Sequence, residues 1–127
     1  MDNPHAVSWF EIPCTDFKRA TKFYSAMYDQ PLYTSRMESK AGDHDMCFLP
    51  RGQNGVGGAI TNDSHNTPGT LGVVIYLNAG QNLQPMLDRA IAAGATLLMK
   101  KTKVNEIGYI AFITDTEGNK IGLHSEK

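Results

Sequence analysis

The spacing of apolar residues changes twice in the first thirty residues, and the change predicts two kinds of element. Residues 7–12 (VSWFEI) are rich in β-branched and aromatic side chains and end at Pro13, which is typical of a strand. Residues 16–28 place apolar side chains at helical spacing, with Thr15 or Asp16 available as the N-cap. We therefore expect a strand followed by an amphipathic helix whose apolar stripe is Phe17, Ala20, Tyr24 and Met27.

The same order of elements recurs in the second half of the chain. Turn residues separate three further strand-like segments in the first half: 32–37, 45–49 and 57–61. The second half then predicts a strand at 71–77, a helix at 82–93 and strands at 96–100, 109–114 and 120–125. Pro85 is compatible with this helix because the first helical turn does not use its missing N–H.

A constant shift of 64 residues superimposes the two halves, pairing Trp9 with Val73, Phe48 with Phe112 and Gly58 with Gly122. The polar segment 62–69 (NDSHNTPG) is interpreted as the linker between module one, residues 5–61, and module two, residues 70–126. Together, residues 1–127 predict a single α+β domain. We expect two tandem βαβββ modules whose curved sheets enclose a cleft.

Composition removes several functional classes. Of the residues, 41% are apolar and 20% are charged, and 12 basic against 13 acidic side chains leave a net charge of -1. We expect no nucleic-acid partner, because no basic stripe is present, and no membrane span, because the apolar runs are too short. Cys14 and Cys47 do not form a disulfide framework, which favours free thiols and a cytoplasmic location.

Three segments resemble the vicinal oxygen chelate superfamily, which includes glyoxalases, bleomycin-resistance proteins and extradiol dioxygenases. They are WFEIPCTDFKRATKFY at 9–24, VGGAI at 56–60 and GYIAFITDTEGNKIGLHS at 108–125. The resemblance spans nearly the whole chain, and within it the first and second segments resemble a subgroup of small glyoxalase-related proteins. It implies the glyoxalase/bleomycin-resistance fold and a homodimer.

The resemblance also implies a divalent metal held by one residue from each of four strands. In this chain those places fall on Trp9, Gly58, Val73 and Gly122, and none of these side chains ligates a metal ion. We therefore expect no metal cofactor, and we expect the four residues to line a ligand-binding cleft. The trio Asp43, His44 and Asp45 is the other metal candidate, although a solvated loop explains it better.

Glu11 and His124 are the candidate catalytic residues. Strand alternation places Glu11 on the face of Trp9 and His124 on the face of Gly122, where either could transfer a proton. The structural alternatives are an ion pair of Glu11 with Lys120 or Arg36 and a hydrogen-bonded histidine near the C-terminus. Trp9 could stack on a flat ligand, whereas Tyr109 is interpreted as core.

Three functions follow from these patterns. The leading hypothesis is a metal-free module that binds a small organic molecule of unknown identity in its cleft. The alternative is a glyoxalase-like lyase or isomerase, metal-independent or, less favoured, metal-dependent, that uses Glu11 or His124 for proton transfer. In the third, Trp9 and its neighbours fill the cleft and the protein acts through a partner.

Overall fold

The computed structural model describes residues 4–127, which form two helices and eight strands. Among these residues, Asn105–Ile107 form a 3-10 turn. The elements in chain order are β1 Trp9–Pro13, α1 Phe17–Tyr28, β2 Thr34–Met37, β3 His44–Phe48, β4 Gly57–Thr61, β5 Tyr76–Asn78, α2 Gln84–Ala92, β6 Thr96–Val104, β7 Gly108–Thr114 and β8 Lys120–Ser125.

The strands form two sheets with the same topology. Sheet one has the order β1-β4-β3-β2 and sheet two the order β5-β8-β7-β6, each with one parallel pair at the same end. Both sheets pack one face on α1 and α2 in a shared hydrophobic core. The predicted fold class, two tandem βαβββ modules, is confirmed. The terminal strands β1 and β5 each keep one unpaired edge.

The helices begin and end for local reasons. Asp16 caps α1 by accepting a hydrogen bond from the Arg19 N–H at 3.0 Å, which selects Asp16 from the two predicted caps. The helix ends at Asp29, whose φ of 56° is left-handed. In α2, Leu83 provides no side-chain cap, and Pro85 lies in the first turn as expected. Packing of Met86, Leu87 and Ala90 therefore stabilises α2 more than its cap does.

The fifth strand is shorter than its sequence predicts. A strand was expected over 71–77, but β5 covers only Tyr76–Asn78. Gly72 has a φ of +101°, which interrupts the extended backbone. Leu71 is 95% exposed and Val73 is 93% exposed, so these two residues pack on little of the described chain, whereas Ile75 packs against the core. Apolar pattern alone does not supply the neighbour that a strand needs.

The internal repeat is real, but its offset is not constant. Phe48 lies opposite Ala59 in sheet one, and Phe112 lies opposite Gly122 in sheet two. The structural counterpart of Gly122 is therefore Ala59, and the predicted pairing with Gly58 is wrong by one residue. In a strand, an error of one residue moves a side chain to the opposite face of the sheet.

The first strands of the two modules show the same kind of displacement. Glu11 lies opposite Ala59 in sheet one, and Tyr76 lies opposite Gly122 in sheet two, so Glu11 and Tyr76 correspond. Two residues earlier on each segment stand Trp9 and Val74. The predicted pairing of Trp9 with Val73 is therefore also wrong by one residue, in the opposite direction, because segments within the modules differ in length and a gapless shift cannot show this.

The β7–β8 turn fastens module two to the start of α1, and we call this contact the polar joint. The Glu117 carboxylate accepts hydrogen bonds from the Thr15 and Asp16 N–H groups at 3.0 and 2.9 Å. It also forms an ion pair with Arg19 at 2.7 Å. Desolvation raises the pKa of Glu117, but these hydrogen bonds outweigh it and lower the pKa to about 2. The carboxylate is therefore ionised and paired at neutral pH.

Asp115 organises the buried half of the polar joint. Its carboxylate accepts from the Tyr24 hydroxyl at 2.7 Å and from the N–H groups of Glu117 and Asn119 at 2.8 and 2.9 Å. The Asn119 side chain continues across the joint by donating to the Pro13 carbonyl at 2.7 Å. Burial beside this carboxylate raises the pKa of Tyr24 well above its usual value, so its phenol remains a donor.

Candidate functional site

A cavity of about 720 Å³ lies between the unpaired edges of β1 and β5, and we call it the edge cavity. Its volume is in the range of small-molecule sites. Most of its wall is apolar. The residues that line it are Val7, Trp9–Pro13, Tyr28, Leu49, Pro50, Val56, Gly57, Gly58, Gly69, Val73–Asn78 and Asn119–Ile121.

The edge cavity exists because neither sheet continues past its terminal strand. Ile12 and Leu77 point into the core, whereas their neighbours Glu11 and Tyr76 point to the opposite faces of the sheets. Since both kinds of residue line the cavity, it follows the strand edges and reaches both faces. Aromatic rings support the module-one side, where Trp9 contacts Phe48 edge-to-face at 6.1 Å between centroids.

Three of the four predicted ligand-binding residues line the edge cavity. Trp9, Gly58 and Val73 belong to its wall, whereas Gly122 does not. Gly122 is covered by the Tyr76 ring, since a Cβ added at Gly122 would lie 2.6 Å from that ring. The structure therefore brings Trp9, Gly58 and Val73 to one cavity. Tyr76, which covers Gly122, lines the cavity in its place.

The two glycines face opposite sides of their sheets. Gly58 lies beside Phe10 and on the face of the buried Ile60. A Cβ at Gly58 would meet the Phe10 ring at 2.4 Å, so the bare backbone leaves room for that ring. Gly122 lies on the face opposite the buried Leu123. The missing side chain of Gly58 thus leaves room for the Phe10 ring on the buried face of sheet one. The missing side chain of Gly122 leaves room for the Tyr76 ring on the opposite face of sheet two.

Glu11 lines the edge cavity without an ion-pair partner. Its carboxylate accepts one hydrogen bond, from the Trp9 indole N–H at 3.2 Å. Of the cations suggested by the sequence, Arg36 pairs with Asp45 at 3.1 Å and Lys120 lies over the Phe112 ring at 4.5 Å. The ion pairs within residues 4–127 do not include Glu11. Its carboxylate is therefore available to a molecule in the cavity.

His124 lies outside the edge cavity. Its Nε2 forms a 2.7 Å hydrogen bond with the Ile107 carbonyl, so it anchors the turn before β7. Nε2 carries the proton in this contact, since a carbonyl only accepts. The two candidate catalytic residues are therefore not brought together: Glu11 lines the cavity and His124 does not.

The side chains fit a metal site poorly. Within the part of the chain that is described, no three His, Cys, Asp or Glu side chains are placed to hold a metal ion. In the Asp43, His44 and Asp45 trio, the Asp45 carboxylate is already bonded to Arg36 and to the Asn62 amide. We derive no step through a metal for this chain.

Sequence reasoning missed several polar residues of the edge cavity, among them Lys120 and Tyr28. Lys120 precedes Gly122 by two residues on the same face of β8, a relation that strand alternation could have identified. Tyr28 ends α1, and its position at the cavity depends on the tertiary packing. Its hydroxyl forms no hydrogen bond with the described chain. Burial raises the pKa of Tyr28 to about 12, so the phenol is neutral.

Comparison with solved structures identifies the fold. An antibiotic binding protein from Streptomyces sp. CB03234, TnmS3, matches with a TM-score of 0.68 at 19% identity over 100% of this chain and 99% of that chain. A glyoxylase/bleomycin resistance protein/dioxygenase domain from Frankia sp. EAN1pec matches with a TM-score of 0.71 at 13% identity over 98% and 94%. The chain has the glyoxalase/bleomycin-resistance fold.

The fosfomycin resistance protein FosX from Listeria monocytogenes shares this fold, with a TM-score of 0.64 at 14% identity over 97% of this chain and 92% of that chain. Many structural neighbours have this fold, which is the fold that the resemblance to the vicinal oxygen chelate superfamily implied. No family model matches the sequence, and no curated protein matches it. None of the described helices is long and apolar enough to cross a membrane.

Proposed function

We propose that this protein binds a small organic molecule, partly aromatic or amphipathic, in the edge cavity and without a metal ion. The observation that carries the proposal is a cavity of about 720 Å³ with apolar walls and two charged groups, Glu11 and Lys120, that form no ion pair within residues 4–127. This combination is typical of small-molecule sites. The antibiotic binding protein with the same fold supports the proposal by analogy of architecture.

Trp9 provides a direct test, because it is the only tryptophan of the chain and lines the edge cavity. At 38% exposure, it can respond to a molecule beside it. We expect a panel of neutral naphthyl amides to change Trp9 fluorescence saturably at micromolar to millimolar concentration. The Val56→Phe variant, which narrows the cavity, should weaken binding, whereas Val104→Phe, outside the cavity, should not. A panel without a saturable response contradicts the proposal.

The enzymatic alternative gains no specific support from the geometry. It requires both Glu11 and His124 to point into one enclosed pocket, and only Glu11 lines the cavity. The third hypothesis, a cleft filled by Trp9 and its neighbours, is opposed by the open volume beside that residue. We therefore propose binding rather than catalysis.

We further propose that the protein is a homodimer. Leu71 and Val73 are almost fully exposed beside two unpaired strand edges, a surface that a second copy would cover. Light scattering should give a dimer for the wild type, a monomer for Val73→Asp and a dimer for the control Ile107→Asp. A monomeric wild type at about 50 µM, a concentration at which typical stable interfaces are occupied, contradicts this proposal.

We also propose a cytoplasmic location, which the free thiols of Cys14 and Cys47 support.

A further inference from the structure

The edge cavity contains two opposite charges that no ion pair neutralises. Glu11 on β1 and Lys120 on β8 both line it, and they belong to different sheets. Neither takes part in any of the ion pairs formed within residues 4–127. The charges of this cavity are therefore open to a ligand from two sides.

The environment of each charge is aromatic. The Glu11 carboxylate accepts only the Trp9 indole N–H, at 3.2 Å. The Lys120 ammonium lies 4.5 Å from the centroid of the Phe112 ring, a cation–π contact that leaves its N–H donors free for an acceptor. Both charged groups are thus oriented by aromatic neighbours and keep unused hydrogen-bonding capacity.

A third cation lies close by but is engaged elsewhere. The Arg51 side chain covers Gly57 next to Trp9, where it would lie 2.8 Å from an added Cβ. Its Nη1 donates to the Gly55 carbonyl at 2.9 Å, and Arg51 does not line the edge cavity. Glu11 therefore remains without a cationic partner even though Arg51 is near the same indole.

A ligand that fills this cavity removes water from both charges. An uncompensated charge in a water-excluded site is costly, whereas a charge-assisted hydrogen bond offsets that cost. A neutral apolar ligand would leave both groups without partners. A molecule with a protonated amine near Glu11 and an anionic or strongly accepting group near Lys120 would supply both.

We infer that the ligand of the edge cavity is dipolar: an aromatic or amphipathic molecule that carries both a protonated amine and a carboxylate or equivalent acceptor. This inference rests on the proposed function and specifies its ligand class. Glu11 recognises the amine, Lys120 recognises the acceptor, and the apolar walls hold the ring. The internal repeat makes this possible because Glu11 corresponds to Tyr76, so only one of the two strand edges carries a carboxylate at that place.

Isothermal titration with four probes that share one ring tests the inference. The probes are 2-naphthylalanine, which is dipolar, 2-(2-naphthyl)ethylamine, 3-(2-naphthyl)propionate and the neutral 3-(2-naphthyl)propionamide. We expect the dipolar probe to bind the wild type at least about tenfold more tightly than the neutral amide, as one net charge-assisted hydrogen bond would give.

Two charge-removing variants and two controls assign the groups. Glu11→Gln should weaken binding of the two amine-bearing probes about tenfold and leave the affinity of the propionate unchanged. Lys120→Met should weaken binding of the two carboxylate-bearing probes about tenfold and leave the affinity of the ethylamine unchanged. Glu106→Gln and Lys103→Met remove like charges outside the edge cavity and should change no affinity.

The outcomes separate the two proposals. If all four probes bind the wild type equally and neither Glu11→Gln nor Lys120→Met changes their affinities, the cavity binds ligands but the dipolar assignment is overturned. If no probe binds, the proposed function fails together with the assignment. A preference that follows the two variants in the stated directions establishes it.

Discussion

The polar joint and the edge cavity are two of the places where the modules approach each other, and their polar groups differ in how many partners they have in the chain. In the joint, the Asp115 and Glu117 carboxylates each accept several hydrogen bonds from the chain itself. In the cavity, Glu11 accepts one hydrogen bond from a neighbouring indole, and the Tyr28 hydroxyl has no partner in the described chain.

The contrast distinguishes polar groups that stabilise the fold from polar groups that can bind a ligand. A buried group with all its partners stabilises the fold, whereas a polar group left open in an apolar cavity has capacity for a ligand. Tyr24 and Tyr28 show this within one turn of α1, because Tyr24 donates to Asp115 at 2.7 Å and Tyr28 faces the cavity without a protein acceptor. Conservative substitutions in the two regions should therefore have different consequences.

The largest effect is expected at the centre of the joint. Asp115→Ala leaves the Tyr24 hydroxyl and the N–H groups of Glu117 and Asn119 without their acceptor. We expect a loss of about 3–5 kcal/mol in the free energy of unfolding, because several buried donors lose one charged acceptor. Urea denaturation measures it, with Asp43→Ala in an exposed loop as the control. A loss under about 1 kcal/mol, the level of a surface substitution, contradicts the role of the joint.

The next effect is a dependence on acid. Because the folded pKa of Glu117 is lowered to about 2, below its ordinary 4.5, its contribution is complete above pH 4.5 and is lost as the pH falls toward 2. Glu117→Gln should cost about 1.5–3 kcal/mol at pH 7, in line with hydrogen bonds to a charged group. Its deficit relative to the wild type should shrink as the pH falls from 4.5 toward 2. Parallel stability curves over that range would falsify the assignment.

The smallest effect comes from the matched tyrosines of α1. Tyr24→Phe removes the hydroxyl that donates to Asp115 and should cost about 1–3 kcal/mol. Tyr28→Phe should change stability by less than about 0.5 kcal/mol, because its hydroxyl has no protein partner to lose. Thermal and urea unfolding of the pair gives the comparison. Equal losses for the two variants would remove the distinction between joint and cavity.

The sequence predicted the architecture well because periodicity and turn residues are local signals. Both helices, a cap at Thr15 or Asp16 and most of the sheet-forming segments were accessible from spacing, and so was the repeat. The details of register were not, since the differences in segment length between the modules are invisible until Phe48 is seen opposite Ala59 and Phe112 opposite Gly122. The gapless shift therefore chose Gly58 as the counterpart of Gly122, where the structure has Ala59. It chose Val73 as the counterpart of Trp9, where the structure has Val74.

The candidate site was predicted in part for the same reason. Trp9 and Glu11 were identified because they alternate on one strand and the cavity follows that strand's edge. His124 was placed with them by an analogous alternation, but the Ile107 carbonyl holds it at the turn before β7, which no local pattern indicates. Tyr28 reaches the cavity through tertiary packing, so only the structure shows it.

The most direct test of the central claim is to map ligand-induced shifts of backbone amide resonances by NMR, with the neutral 3-(2-naphthyl)propionamide as the probe. Binding in the edge cavity predicts the largest shifts in Trp9–Pro13 and in the Val73–Asn78 segment, together with the Trp9 indole N–H. Shifts confined to the Lys103–Ile107 surface, or no saturable shifts at all, would contradict it.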